Sequence, residues 1–264
     1  GHSSLLIEID GRKILTDPIW SKRCSPFSMV GPARFHPPPL SIKSLPALDA
    51  VLISHDHFDH LDKATILALA ETEAHFYLPL GVGEYLESWG IPADRFTEKD
   101  WWEIESLGSD DFTLMATPAR HFSGRVTLSG NPTLWTSWTI LGPRHRVFFS
   151  GDTGWMPVFE KIGNRFGPFD MTMIEIGAYH ENWGDIHLGP RQAVDVHLAL
   201  KGRILLPVHW GTFNLGLHAW NEPIEQLISC ASLKSANFVA PQPGQSVSPA
   251  RLPDLSKWWL KRSA

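Results

Sequence analysis

The stretch "SHDHFDHLD" at residues 54–62 follows the apolar run "DAVLI" and places three histidines and three aspartates within nine residues. Side chains two residues apart in an extended segment point to the same side, so the imidazoles of His55 and His57 can bind one metal ion. After a turn, Asp59 and His60 can face a second ion, and nitrogen and oxygen ligands of this kind suit zinc. A polar surface bend is the alternative interpretation, but ligand-type residues at this spacing after a buried strand favour a metal centre.

Three further apolar runs of strand length end close to a residue that can bind a metal. His121 follows "LMATPAR", the natural bridging carboxylate Asp152 follows "RVFFSG", and His209 follows "RILLPV". Strand ends at one edge of a sheet converge on a single crevice, where ligands bind in many α/β proteins. We therefore predict one metal centre built by seven side chains, namely His55, His57, Asp59, His60, His121, Asp152 and His209.

The rest of the chain mixes predicted strands with loops and helices. A β-hairpin is predicted at residues 3–18, and helices are predicted at residues 63–71 and 190–200. Asp62 is the predicted N-cap of the first helix. Because no linker or low-complexity tract interrupts the pattern, we predict a single α/β domain over residues 1–264.

Two segments combine apolar or aromatic side chains with basic ones. The Pro-rich loop at residues 20–46 is longer than a compact domain normally carries without a function, and we predict a lid. Its apolar and basic side chains are Phe27, Met29, Val30 and Phe35 with Lys22, Arg23 and Arg34. The C-terminal tail at residues 247–264 contains "SKWWLKRSA", in which Trp258 and Trp259 stand among Lys257, Lys261 and Arg262. Both compositions favour a membrane surface, and packing onto the protein itself is the alternative for both.

Composition excludes several classes of protein. The formal net charge is −5, so nucleic acid is an unexpected partner, although a local basic patch stays open. Two cysteines without a CxxC pair require no oxidising compartment. No apolar run approaches the roughly 20 residues that cross a bilayer. Because the chain starts at Gly1 without a methionine, we expect upstream residues to be missing. We expect a location in the cytoplasm or at the periphery of a membrane. A homo-oligomer is compatible with the sequence.

The motif at residues 54–62 resembles the HxHxDH signature of the metallo-β-lactamase superfamily. Further segments resemble a narrower group, the N-acylphosphatidylethanolamine-hydrolysing phospholipase D family. They include "ILTDPIW", "GPARF", "DWWE", "LWTSW", "FFSGDTG", "IGNRFGPFD" and "HWGTF". The similarity extends from Gly1 to about Gly244.

This resemblance implies an αββα sandwich of two mixed β-sheets flanked by helices, with two zinc ions at its edge. It implies one zinc ion on His55, His57 and His121. It implies the other on Asp59, His60 and His209, with Asp152 bridging both.

Two zinc ions with two aspartates and a bridging hydroxide keep a net positive charge, which favours an anionic substrate. We therefore predict a phospholipase D-like phosphodiesterase that hydrolyses N-acylphosphatidylethanolamine or a related phospholipid to N-acylethanolamine and phosphatidic acid. Asp59 and Asp152 are its predicted catalytic carboxylates. A metal-dependent lactonase or other small-molecule hydrolase is the alternative enzyme, and a nuclease is a third. A lipid-binding scaffold with structural metals is the non-enzymatic alternative.

His187 is the predicted catalytic contact for the leaving group, in a segment that departs from the family pattern, "GAYHENWGDIHLGP". His180 is the rival, and both are predicted to bind substrate. A loop histidine packed at a helix start is the alternative for His187. Asp17 either accepts a hydrogen bond from a ligand imidazole or only forms a turn. The other histidines have no metal-binding spacing and are read as ordinary, namely His2, His36, His75, His145, His197 and His218.

Overall fold

The computed structural model describes residues 1–125 and 130–260. The predicted hairpin is present as strands β1 (Leu5–Ile9) and β2 (Arg12–Thr16), which pair antiparallel. Asp10 and Gly11 at its turn both have positive φ angles, 46° and 85°. This combination twists a two-residue turn to match its strands, and the Asp-Gly sequence tolerates it.

The hairpin continues into the first sheet, whose strand order is β1-β2-β3-β4-β5. The added strands are β3 (Ala50–Leu52), β4 (His75–Pro79) and β5 (Phe96–Lys99), and each pairs parallel with its neighbour. Helices α1 (Lys63–Ala70) and α2 (Gly83–Ser88) make the crossovers from β3 to β4 and from β4 to β5.

The second sheet has the order β11-β10-β9-β8-β7-β6. Its strands are β6 (Ile104–Ser106), β7 (Thr113–Thr117), β8 (Ser137–Leu141), β9 (Arg146–Phe149), β10 (Met171–Glu175) and β11 (Leu205–Val208). The helices of this half are α3 (Val158–Phe166), α4 (Pro190–Ala199) and α5 (Glu222–Leu233). Strands β9, β10 and β11 are parallel, and β7 runs in their direction because two antiparallel pairings separate it from β9.

The alternation of side chains along each strand assigns them to two kinds of core. Leu52 and Phe149 point between the sheets and share one buried cluster. Val51 packs beneath α1 and α2, and Phe148 packs beneath α3, α4 and α5. The layers are therefore helix, sheet, sheet, helix, which confirms the predicted αββα sandwich of two mixed sheets.

Trp138 joins the two sheets at the centre of this sandwich. Its side chain is fully buried, and its indole Nε1–H donates a hydrogen bond to the Ile53 carbonyl oxygen at 2.9 Å. We expect Trp138→Ala to lower the free energy of unfolding by about 3–5 kcal/mol in urea titrations, because it leaves a large cavity. Trp155→Ala, at a site that is 39% exposed, is the control and should cost less than about 1 kcal/mol. Equal losses in the two variants would contradict this packing.

The two predicted helices are present, each one residue shorter at its C-terminal end than predicted. Asp62 occupies the N-cap position of α1, but its side chain makes no capping hydrogen bond. Its carboxylate instead accepts hydrogen bonds from the Ser21 backbone N–H and hydroxyl, at 3.0 and 2.8 Å. Because the same carboxylate accepts a hydrogen bond from the Thr65 hydroxyl in α1, Asp62 connects the start of the predicted lid loop to the first turn of this helix.

The predicted lid loop and C-terminal tail behave differently. In the loop at residues 20–46, Phe27 and Met29 are exposed, by 66% and 86%. In the tail, Trp259 is buried beside α5 and its Nε1–H donates to Glu225 at 2.6 Å. The structure thus favours the packing alternative for the tryptophans, while Lys261 and Arg262 lie outside the described residues. Within residues 1–125 and 130–260, no helix is long and apolar enough to span a bilayer.

Candidate metal centre

The first group of predicted ligands lies at the ends of β3 and β7. The Nδ1 atom of His57 is 2.9 Å from the Nε2 atom of His55 and 3.1 Å from the Nε2 atom of His121. Atoms that bind one tetrahedral zinc ion with bonds of about 2.1 Å lie about 3.4 Å from one another. These three nitrogen atoms therefore converge as the ligands of one ion would.

The second group lies opposite the first, with Asp152 between them. The Nε2 atoms of His60 and His209 are each 3.2 Å from the Oδ2 atom of Asp59. The Oδ2 atom of Asp152 is 3.2 Å from His60 and 3.1 Å from His209. It is also 3.8 Å from the Nε2 atom of His55 in the first group. The structure therefore brings all seven predicted ligands together, with Asp152 Oδ2 between the two groups.

Hydrogen bonds within the cluster leave some of its nitrogen and oxygen atoms unsatisfied, and a metal ion would satisfy them. In the described part of the chain, His60 Nε2 makes no hydrogen bond of suitable geometry despite the carboxylate oxygens at 3.2 Å, and Asp152 Oδ1 is buried without a partner. Unsatisfied polar atoms of this kind are costly in a protein interior, and a bound cation would satisfy them. Imidazole nitrogens and carboxylate oxygens are the ligands that zinc and similar transition metals accept.

The carboxylates of the cluster also favour positive charge on the histidines between them. Burial opposes the protonation of His209, but the neighbouring Asp152 carboxylate outweighs burial and raises the pKa of His209 to about 10. The same carboxylate and Asp59 raise the pKa of His60 well above its ordinary value, against the effect of burial. In contrast, burial lowers the pKa of His121 to about 3. The carboxylates thus hold positive charge in their midst, which a divalent cation would supply.

Outer hydrogen bonds orient the ligand imidazoles. Asp17 is fully buried and its Oδ2 atom accepts hydrogen bonds from His60 Nδ1 at 2.7 Å and from the Ser54 hydroxyl at 2.6 Å. The Ser54 hydroxyl also lies 2.9 Å from His55 Nδ1. Such contacts leave the Nε2 atoms free for metal. The structure supports the imidazole-acceptor interpretation of Asp17.

We expect Asp17→Asn to weaken metal binding by about 10- to 100-fold, because the ring of His60 loses its charged acceptor. Metal affinity of the metal-free protein can be measured by calorimetric titration with Zn²⁺. Asp195→Asn, on the exposed face of α4, is the matched control and should leave the affinity unchanged. Wild-type affinity in the Asp17→Asn protein would exclude this role.

His187 is held by a residue that the sequence analysis missed. Its Nδ1 atom lies 2.8 Å from the Oε2 atom of Glu175, a fully buried residue at the end of β10. The other oxygen of Glu175 accepts hydrogen bonds from the backbone N–H groups of Thr153 and Leu188. The available signal was a glutamate inside the apolar run "MTMIEIG", where an unpaired carboxylate is costly.

The two predicted substrate-binding histidines line the same cavity. His180 and His187 lie on the wall of a cavity of about 550 Å³, with Tyr179, Gln192 and Leu217. This volume is in the range of small-molecule sites. His187 connects this cavity to the ligand cluster, since its Nδ1 atom is 3.8 Å from Asp152 Oδ2, whereas His180 belongs to none of the groups of potential metal ligands in the described residues.

His2 corrects the sequence analysis, which treated it as ordinary. Its Nε2 atom is 2.9 Å from the Oδ2 atom of Asp59, within the second group of ligands. The hairpin contained the signal: β1 is antiparallel to β2, so the residues before β1 lie beside Asp17 at the end of β2. Residues at that edge of the sheet face the metal centre.

The chain matches the family described as "Beta-lactamase superfamily domain" over residues 12–210. The chain belongs to the beta-lactamase superfamily. A superfamily relative from Mycobacterium tuberculosis, named only as an uncharacterised protein, is 51% identical over 98% of this chain and 70% of its own length. The N-acyl-phosphatidylethanolamine-hydrolyzing phospholipase D 1 of Caenorhabditis elegans is 35% identical over 93% of this chain and 73% of its own length.

A solved structure confirms the fold. Igni18, a metallo hydrolase from Ignicoccus hospitalis, superimposes with a TM-score of 0.67 at 23% identity over 94% of both chains. With the His and Asp cluster at the sheet edge, the chain is a metal-dependent hydrolase of the beta-lactamase superfamily.

Proposed function

We propose that this superfamily member is a dinuclear zinc phosphodiesterase of the phospholipase D type. Its substrate is N-acylphosphatidylethanolamine or a related phospholipid, and its products are an N-acylethanolamine and phosphatidic acid. The observation that carries the proposal is the position of Asp152 Oδ2 between two complete ligand groups. The resemblance in sequence to the phospholipase D of Caenorhabditis elegans supports the substrate class.

The proposed centre divides its ligands between two ions. One ion would be held by the nitrogen atoms of His55, His57 and His121, and the other by Asp59, His60 and His209, and Asp152 would be shared. When bound, zinc polarises a phosphoryl oxygen and lowers the pKa of a bound water to about 7. The protein supplies the fixed geometry and a cluster whose charge suits a phosphodiester anion.

His187 is proposed to provide the proton that the leaving alkoxide requires. With Nδ1 bonded to Glu175, its Nε2 atom is the nitrogen available to the cavity beside the metal centre. Glu175 fixes the ring, since it is itself held by two backbone N–H groups. A general acid oriented in this way contributes roughly 10²- to 10⁴-fold to a rate.

A phospholipid substrate requires contact with a lipid surface, for which the loop at residues 20–46 is the proposed element. Phe35 donates its backbone N–H to Thr212, three residues beyond the ligand His209, and its ring contacts Trp220 at 5.9 Å. The loop is therefore attached beside the metal centre, and it exposes Met29. We propose peripheral membrane contact through this loop.

One observation favours the alternative, a lactonase or other small-molecule hydrolase. The cavity beside His187 has a size that suits a drug-sized molecule. The same ligand set polarises a carbonyl as readily as a phosphoryl group.

The discriminating experiment is an assay of the zinc-loaded protein with N-acylphosphatidylethanolamine in mixed micelles, beside a panel of lactones. We expect N-acylethanolamine release, and a much lower rate with phosphatidylethanolamine that carries no N-acyl group. A protein that holds two zinc ions, turns over a lactone and leaves the phospholipid intact would reject the proposal in favour of the alternative.

A further inference from the structure

We infer that His2 is a positioning residue for Asp59, and that it fixes this carboxylate in the second ligand group. The inference concerns how the metal centre is built, so it holds for either candidate substrate. Its basis is the contact between two residues that lie 57 positions apart in the chain: Nε2 of His2 lies 2.9 Å from Oδ2 of Asp59.

His2 is enclosed by the metal centre. Its side chain is buried, its ring centroid is 4.2 Å from that of His209, and the edge of Phe213 packs against it at 5.2 Å. A histidine packed in this way cannot rotate away from Asp59 without displacing a predicted ligand.

The backbone of His2 is fixed to the same segment. Its N–H donates to the Thr212 hydroxyl at 2.7 Å, and its carbonyl oxygen accepts from the His209 N–H at 3.2 Å. Its φ angle is 54°, a region that residues other than glycine occupy at a cost. Such a conformation persists where the surroundings determine it, and it is concentrated at functional sites.

The predicted ligands follow a common pattern that His2 completes. His60 is oriented by Asp17, and His121 Nδ1 lies 2.9 Å from the Ile186 carbonyl oxygen. Within residues 1–125 and 130–260, His2 is the one hydrogen-bond partner of the Asp59 carboxylate from outside the seven predicted ligands. Outer partners of this kind orient metal ligands and tune metal affinity.

A direct ligand role for His2 is the competing interpretation, because its nitrogen lies within the same group of donors. That group already has Asp59, His60, His209 and the shared Asp152. Zinc in catalytic sites binds four or at most five ligands, so these four protein ligands leave one position for water, and a further nitrogen ligand would close it. The geometry therefore favours positioning over ligation.

The test is a titration of the metal-free protein with Co²⁺, followed by visible absorption and calorimetry. We expect two classes of site in the wild type. His2→Phe keeps the ring but loses the donor, and should weaken one class by about 10- to 100-fold while the other stays unchanged. His2→Gln keeps an N–H donor at the end of its side chain, and should bind both ions within a few-fold of wild type.

His197→Gln, which removes another buried histidine far along the chain in α4, is the control and should leave both classes unchanged. Circular dichroism checks folding, and His2→Asn, whose amide is too short to reach Asp59, replaces His2→Phe if that variant does not fold. Unchanged affinities in His2→Phe or His2→Asn would overturn the inference. An equal loss in His2→Gln, with a spectrum that indicates one fewer nitrogen ligand, would also overturn it and assign His2 as a ligand.

Discussion

Asp152→Ala is expected to lower kcat/KM by at least about 10³-fold and to remove both metal ions from the purified protein. The reason is the position of its Oδ2 atom, which lies 3.1 Å from His209 and 3.2 Å from His60 in one group and 3.8 Å from His55 in the other. In the proposed centre, loss of this atom would remove from both ligand groups the one carboxylate oxygen that they share.

Metal content by atomic absorption and steady-state kinetics measure the two effects on the same sample. Asp195→Ala on α4 changes a surface aspartate and should retain both metals and full activity. An Asp152→Ala protein with two bound metals and more than a tenth of wild-type activity would show that Asp152 bridges nothing.

His187→Ala is expected to lower kcat by about 10²- to 10⁴-fold while the metal content stays at the wild-type level. The metal content differs from that of Asp152→Ala because His187 is proposed to donate a proton to the leaving group and not to bind a metal ion. 4-Nitrophenolate departs without a proton. The variant should therefore lose much less activity towards a phosphodiester of 4-nitrophenol than towards N-acylphosphatidylethanolamine.

His180→Ala is the matched comparison, since His180 lines the same cavity but has no buried carboxylate partner in the described residues. We expect His180→Ala to raise KM more than it lowers kcat. An equal loss for both leaving groups in His187→Ala would contradict proton donation by His187.

The convergence of the seven predicted ligands was predictable because the direction of the strands determines it. His121, Asp152 and His209 follow β7, β9 and β11, which all run in one direction, so their ends had to share one edge of the sheet. The HxHxDH spacing after β3 predicted the other four ligands, His55, His57, Asp59 and His60. Local sequence was sufficient here because every predicted ligand comes shortly after one of four apolar strands.

The supporting residues were not predictable in the same way. Glu175 lies in a strand whose other side chains are apolar, and its partner His187 comes from a loop whose position only the fold determines. His2 is 57 residues from Asp59, and no local pattern marks their contact. Residues that support a site through hydrogen bonds to its side chains often come from distant segments. Their positions depend on tertiary packing, which a single sequence does not reveal.

Parts of the fold were also missed. The elements that were not assigned are strands β4, β5, β6 and β8 and helices α2, α3 and α5. Strand β8, "SWTIL", alternates polar and apolar residues from Ser137 to Ile140, so a signal for this strand was present in the sequence although all four side chains are buried. In the tail, the Trp and Lys composition suited a membrane surface, but α5 offered Trp259 a buried site and Glu225 a hydrogen bond.

The most direct test of the account is hydrolysis of N-acylphosphatidylethanolamine by the zinc-loaded protein in ¹⁸O-labelled water, with mass spectrometry of both products. If the protein is a phospholipase D-like phosphodiesterase, water attacks phosphorus and the label enters the phosphate of phosphatidic acid, while N-acylethanolamine stays unlabelled. The absence of both products from a protein that holds two zinc ions, or the label in N-acylethanolamine, would contradict the account.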